Sequence, residues 1–200
     1  MASFTDDPVA RPAPLFSVAT GGPRAVREAA RRLTTPRYAA AAAVALPLIG
    51  LALVRFGADA RFAIAAFLIP VLCALTAIDL DERRIPNRIV LPSAALVLAA
   101  QIALFPDRTV EWIVAAMAGA LVLLLPLLAF PAGVGMGDVK LMLLLGAALG
   151  TAVTTALVVG SLAAGAYAAV LLLRGGREAR HTAFPLGPFL AFGALVALLA

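Results

Sequence analysis

A succession of long apolar runs, separated by short charged segments, is the feature that most limits how this chain can fold. A helix needs about 20 apolar residues, roughly 17 to 25, to cross the hydrocarbon core of a bilayer. Of the 200 residues, 63% are hydrophobic and 14% are charged, whereas soluble domains average about 45–50% and about 25%. A soluble fold could not bury so much apolar surface. We therefore predict an all-α protein, a polytopic transmembrane helical bundle in the lipid bilayer.

Seven membrane spans are predicted, with the N-terminus inside and the C-terminus outside: one N-terminal span and a six-span catalytic core. Five apolar runs cover residues 38–54, 62–78, 89–105, 110–130 and 184–200. The uncharged stretch 141–173 would be roughly 50 Å long as one helix. It therefore holds one long tilted helix, or two short helices with a turn near Gly150. The positive-inside rule favours two helices, because they leave 13 of the 16 Lys and Arg residues on the inner side.

Residues 1–37 are polar, basic and rich in proline, and lack the early apolar core of a secretory signal peptide. They are predicted to form a largely disordered cytoplasmic arm, and residues 38–200 the transmembrane catalytic domain. Within the arm, residues 24–33 are either a short helix lying on anionic lipid or a solvated basic linker. The net charge of +5 does not predict a nucleic-acid partner, because the arginines flank apolar runs and form no continuous basic face.

Two acidic residues stand at predicted span ends on the same, inner side. Asp79 closes the second run and Asp138 opens the fifth. Ionisable groups at membrane depth are costly, so each is a functional candidate. Two close carboxylates share one proton: the ionised one can activate water while the other protonates a scissile carbonyl. The alternative account of Asp138 is an acid placed at a helix N-terminus by the helix dipole.

Other chemistries have weaker support. Asp81 and Glu82 adjoin two arginines, as solvated interface charges do. Cys73 and His181 are the only residues of their types, so an HExxH zinc site is excluded and no metal or cofactor is predicted. An intramembrane serine protease built on Ser161 would need a buried histidine partner.

The residues around Asp138 also have structural interpretations. Gly135 and Gly137 allow a tight turn and the close approach of a substrate strand, or form a flexible loop. Lys140 is interpreted as a lysine that extends to the interface, in preference to a catalytic role. The GxxxG pattern of Gly146 and Gly150 is first a packing signal and leaves homo-oligomerisation open.

Three short motifs carry a resemblance to a known family. GMGD at residues 135–138 is similar to the GxGD motif of intramembrane aspartyl proteases. Asp79, followed by Pro86 and Asn87, and GDVKL at residues 137–141 resemble the two aspartate motifs of bacterial type IV prepilin peptidases. FPLGPFLA at residues 184–191 resembles their C-terminal signature. That signature reads Pro-x-Gly-Pro-x-Leu, and its fixed positions here are Pro185, Gly187, Pro188 and Leu190.

The resemblance implies an inner-membrane peptidase that cleaves the short basic leader from prepilins or pseudopilins at the cytoplasmic face, with Asp79 and Asp138 as catalytic residues. Longer relatives carry two CxxC pairs and an N-methyltransferase activity; one cysteine makes methylation doubtful here. The compact size and Asn87, where Asp is common, resemble the short peptidases of tight-adherence (Flp) pilus systems. The alternative hypothesis is a non-enzymatic membrane subunit of a transport or secretion system.

Overall fold

A computed structural model describes residues 36–129, 135–175 and 184–200. Side chains are described from residue 38 onward. This part of the chain is helical and contains no strand. Its helices are α1 (Pro36–Phe56), α2 (Ala60–Glu82), α3 (Asn87–Leu104), α4 (Thr109–Ala129), α5 (Met136–Leu149), α6 (Val153–Gly175) and α7 (Gly187–Leu199). Short 3-10 turns at Pro106–Arg108 and Gly150–Ala152 precede α4 and α6. The described residues from 40 onward form one compact unit. The predicted arm lies outside the described residues, except for its last two positions.

The described helices have the length and composition of a polytopic membrane protein, as predicted. Five helical stretches are long and apolar enough to cross a bilayer, and one of them, Met136–Gly175, contains both α5 and α6. The last helix, Gly187–Leu199, is shorter than a typical span. A transmembrane helical bundle is thus confirmed, while the count of seven spans stays a prediction.

The long uncharged stretch is broken at Gly150, so the two-helix interpretation was correct. Gly150 has φ 57° and ψ −133°, a combination that side chains with a Cβ rarely adopt. After the break the chain turns back. The ring of Tyr167, far along α6, packs against Phe184 and Phe189 beside the start of α7. Antiparallel α6 and α7 therefore cover one side of the bundle.

Small residues bring the helices into close contact, as their pattern predicted. A Cβ at Gly146 would collide with the backbone of Ala115 in α4, and one at Gly160 would lie 2.8 Å from the carbonyl oxygen of Phe189. Gly165 is different, because a Cβ there would have no neighbour within 4 Å. The small-residue pattern is thus largely used for packing within the chain.

Candidate active site

Asp79 lies in the last turn of α2 and is buried, with 6% of its surface exposed. The helix continues to Glu82, four residues beyond the predicted span. It closes where Arg83, in the left-handed conformation (φ 50°), donates its N–H to the Asp79 carbonyl oxygen at 2.9 Å. The rival acids Asp81 and Glu82 are exposed on the same turn. The last turn of α2 therefore points Asp79 into the bundle and leaves Asp81 and Glu82 on the surface.

Asp138 lies in the first turn of α5, three residues after the N-cap Gly135. Its backbone N–H donates to the Gly135 carbonyl oxygen at 3.0 Å, and its half-buried carboxylate interacts with the Gly135 N–H. This contact is one half of a capping box, because Gly135 has no side chain to complete it. The contact supports the structural interpretation of Asp138, because the helix N-terminus attracts its negative charge. Helix electrostatics do not account for Asp79, since a carboxylate is unfavourable in a last turn.

The two carboxylates are brought to one end of the bundle, here called the aspartate end. Asp138 and Asp79 interact electrostatically. The buried side chain of Ile85, in the segment between α2 and α3, packs between the two sites. A Cβ at Gly137 would lie 3.0 Å from Ile85 Cβ, and one at Gly187 would lie 3.4 Å from Ile85 Cδ1. The three motifs that are distant in sequence therefore meet around one isoleucine.

Gly187, in the C-terminal motif, lies directly against Asp79. It is the first residue of α7, and its backbone N–H interacts with the Asp79 carboxylate. A Cβ at this position would lie only 2.5 Å from Asp79 Oδ2, so any other residue would displace the carboxylate. Pro188 follows in the first turn, where a missing N–H costs no helical hydrogen bond. Pro185 is half-buried just before the helix.

Lys140 and Asn87 join the first two motifs. Lys140 Nζ donates to Asn87 Oδ1 at 2.8 Å, so the lysine does more than extend to the interface. Asn87 begins α3, and Pro86 is its N-cap in an extended conformation. This contact connects α5, which carries Asp138, to the segment that carries Ile85. Ile85 in turn packs beside Asp79 and Gly187.

The carboxyl groups of Asp79 and Asp138 are not used up by contacts within the described part of the protein. Asp79 Oδ2 is buried and has no hydrogen-bond partner in the described part of the chain. No group of three or more His, Cys, Asp or Glu side chains able to hold a metal occurs among the described residues. A buried and a half-buried carboxyl that interact electrostatically can together activate a water and protonate a carbonyl.

Sequence reasoning missed two features of this end. Ile85 stood between Arg84 and Pro86 and looked like an ordinary loop residue; its flanking motif was the only signal available. The cluster of Tyr167 with Phe184 and Phe189, whose ring centroids are 5.4 to 5.8 Å apart, was also missed. The aromatic residues are separate in sequence, and only the turn of the chain after Gly150 brings them together.

Comparison with known proteins decides the family. Residues 66–170, just over half of the chain, match the type IV leader peptidase family. The chain belongs to this family. The matched region of the leader peptidase family contains Asp79, Asp138 and Ile85 and ends before Gly187.

Two curated proteins are similar to this leader peptidase family member. It is 30% identical to a prepilin leader peptidase/N-methyltransferase of Bacillus subtilis (strain 168) over 162 residues, 81% of this chain and 65% of the relative. It is 34% identical to a protein of the same name from Pseudomonas putida over 150 residues, 72% of this chain and 52% of the relative. The chain thus spans between half and two thirds of these relatives' lengths. No solved structure is significantly similar to it.

Proposed function

We propose that this chain is a membrane-embedded aspartic endopeptidase that removes the leader from prepilin or pseudopilin precursors. The observation that carries the proposal is the meeting of Asp79 and Asp138 at one end of a helical bundle, where one buried carboxylate oxygen has no partner among the described residues. Family membership and the names of the two relatives support leader peptides as the substrate class.

In the proposed reaction the aspartates act as a pair. The ionised carboxylate takes a proton from a water molecule, which attacks the scissile carbonyl carbon, while the protonated partner gives its proton to the carbonyl oxygen. When the tetrahedral intermediate breaks its C–N bond, the first carboxyl gives its proton to the leaving amine, and the second recovers one from the hydroxyl. Gly187 holds Asp79 from one side, and Gly135 holds Asp138 from the other.

The finer assignments also belong to the proposal. The balance of Lys and Arg supports an aspartate end at the cytoplasmic face of the inner membrane, with the N-terminus inside. Asn87 supports the short Flp-pilus type. The relatives' names also include N-methyltransferase activity, but the proposal concerns the peptidase step alone.

A cleavage assay in membranes tests the proposal. The chain would be coexpressed with a prepilin that carries its basic leader, and loss of the leader followed on a gel. We expect cleavage by the parent and none by Asp79→Asn or Asp138→Asn. Glu82→Gln is the matched control, since it alters an exposed acid in the same turn as Asp79, and should cleave normally.

Each outcome of this assay has a distinct meaning. Cleavage by both aspartate variants would rule out the aspartic mechanism. Absence of cleavage by a folded parent, with several prepilin types tried, would favour the non-enzymatic membrane subunit.

A further inference from the structure

Ile85 is the only buried residue in the short segment between α2 and α3, and the proposed reaction gives it no chemical task. It is 8% exposed, whereas Arg83 and Arg84 before it are exposed and Pro86 after it is half-buried. An isoleucine side chain has no group that could exchange a proton or bind a metal. Any contribution of Ile85 to the site therefore comes from its shape and its position.

The side chain of Ile85 lies between the two motifs that hold the aspartates. Its Cβ and Cγ1 would be 3.0 and 3.3 Å from a Cβ at Gly137, the residue before Asp138. Its Cδ1 would be 3.4 Å from a Cβ at Gly187, and Asp79 Oδ2 would be 2.5 Å from the same point. One end of the side chain therefore faces the backbone next to Asp138, and the other end lies beside the Asp79 carboxylate.

Both the side chain and the backbone of Ile85 are restricted. A side chain that branches at Cβ has few favourable χ1 rotamers. Pro86, which follows Ile85, restricts the backbone of the isoleucine to extended conformations. On the other side of the segment, Arg83 closes α2 in the left-handed conformation and donates its N–H to the Asp79 carbonyl oxygen at 2.9 Å. Ile85 therefore has the stiffness of a spacer, which a flexible side chain would lack.

The distance between two catalytic carboxyl groups decides how well they work as a pair. The repulsion between two like charges rises as their separation falls, and two carboxylates in one site then hold one proton between them. Both groups must also reach the same water and the same carbonyl, and misplacement by about 1 Å can cost about 100-fold in rate. A side chain that fixes this distance therefore affects the rate without touching the substrate.

We propose that Ile85 is a positioning residue that sets the distance between the carboxyl groups of Asp79 and Asp138. This inference rests on the proposed peptidase function and adds a residue outside the catalytic pair. The Cδ1 end of Ile85 supports the Asp79 carboxylate and the start of α7, while the Cβ end supports the first turn of α5. The alternative is that Ile85 only fills space, as other members of the hydrophobic core do.

Steady-state kinetics of leader cleavage by the full chain in micelles test the proposal. Ile85→Val removes Cδ1 and keeps the branch at Cβ. We expect kcat to fall about tenfold, less than for a shift of a full 1 Å, while KM for the prepilin stays within about twofold of the parent. A rise in KM with unchanged kcat would overturn the proposal, because Ile85 would then act on substrate binding.

Ile69→Val is the matched control, because it removes the same atom from a fully buried isoleucine of α2. Ile69 precedes Asp79 by ten residues, about 15 Å of helix. Both variants should lower the midpoint of thermal unfolding by similar amounts, but Ile69→Val should keep the parental kcat. Equal kcat losses in the two variants, or a parental kcat in Ile85→Val, would overturn the proposal and leave the peptidase function intact. Absence of cleavage by the folded parent would contradict both.

Discussion

The two ends of the bundle each place a glycine against an acidic side chain, but they treat the acid in opposite ways. Glu111 accepts hydrogen bonds from Arg108 and from the N–H and hydroxyl of Thr151. Asp79 is more deeply buried, and its Oδ2 has no partner in the described residues. An acid whose oxygens all accept hydrogen bonds stabilises the turn around it. A buried acid with an unpaired oxygen lowers the stability of the fold, and such acids are typical of reactive sites. The comparison therefore separates a structural acid from a candidate catalytic acid without reference to any motif.

Of the glycine substitutions, the largest effect is expected at Gly187, which lies against Asp79. Gly187→Ala would place a Cβ 2.5 Å from Asp79 Oδ2 and move the carboxylate. Misplacement of a reacting group by about 1 Å can cost about 100-fold in rate. We expect cleavage of a prepilin to fall by about that factor while the protein stays folded.

Gly165→Ala is the control for this substitution, because a Cβ there meets nothing within 4 Å. It should cleave at the parental rate. If Gly187→Ala also cleaved normally, the contact of α7 with Asp79 would have no part in the reaction.

The next effect concerns Gly150, the glycine against Glu111. A Cβ there would lie 2.7 Å from Glu111 Oε1 and 2.5 Å from the Trp112 ring, at a positive φ. Strained backbone of this kind costs about 1–3 kcal/mol. We expect Gly150→Ala to lower the free energy of unfolding by at least about 2 kcal/mol, measured by denaturant titration in micelles, with normal cleavage by the folded fraction.

Gly57→Ala is a comparison at another positive φ where a Cβ would meet no neighbour. Gly57 also has a positive φ, of 65°, but a Cβ there meets nothing within 4 Å. It should destabilise less than Gly150→Ala. Equal losses at the two positions would show that close packing against Glu111 and Trp112 adds nothing.

The third prediction compares the two acids directly and gives opposite signs. Glu111→Gln removes charge-assisted hydrogen bonds at a partly exposed site and should lower the free energy of unfolding by about 1 kcal/mol. Asp79→Asn removes the charge of a buried carboxylate whose Oδ2 has no partner among the described residues, so it should leave stability unchanged or raised while cleavage is lost. Thermal unfolding of both variants in the same detergent measures the difference. Marked destabilisation by Asp79→Asn would indicate that Asp79 is a structural acid.

The sequence predicted the fold class and the break at Gly150, because the bilayer limits the length of an apolar helix and the side on which Lys and Arg lie. It also singled out Asp79 and Asp138, because an acid at the boundary of an apolar run is costly. It did not predict that Ile85 lies between Gly137 and Gly187, nor that α7 begins directly against Asp79. Those contacts depend on how helices that are distant in sequence pack together. Local sequence patterns do not predict this packing.

The smallest expected effect concerns the connection between Lys140 and Asn87 at the aspartate end. Their hydrogen bond of 2.8 Å is exposed, so its loss should cost about 1 kcal/mol at most. If it positions the segment that carries Ile85, Lys140→Met should lower kcat a few-fold in the prepilin assay and leave unfolding nearly unchanged. Asn87→Asp preserves an acceptor for the lysine and should cleave normally. An equal loss of rate in both variants would mean that this contact has no positioning role, because only one of them removes it.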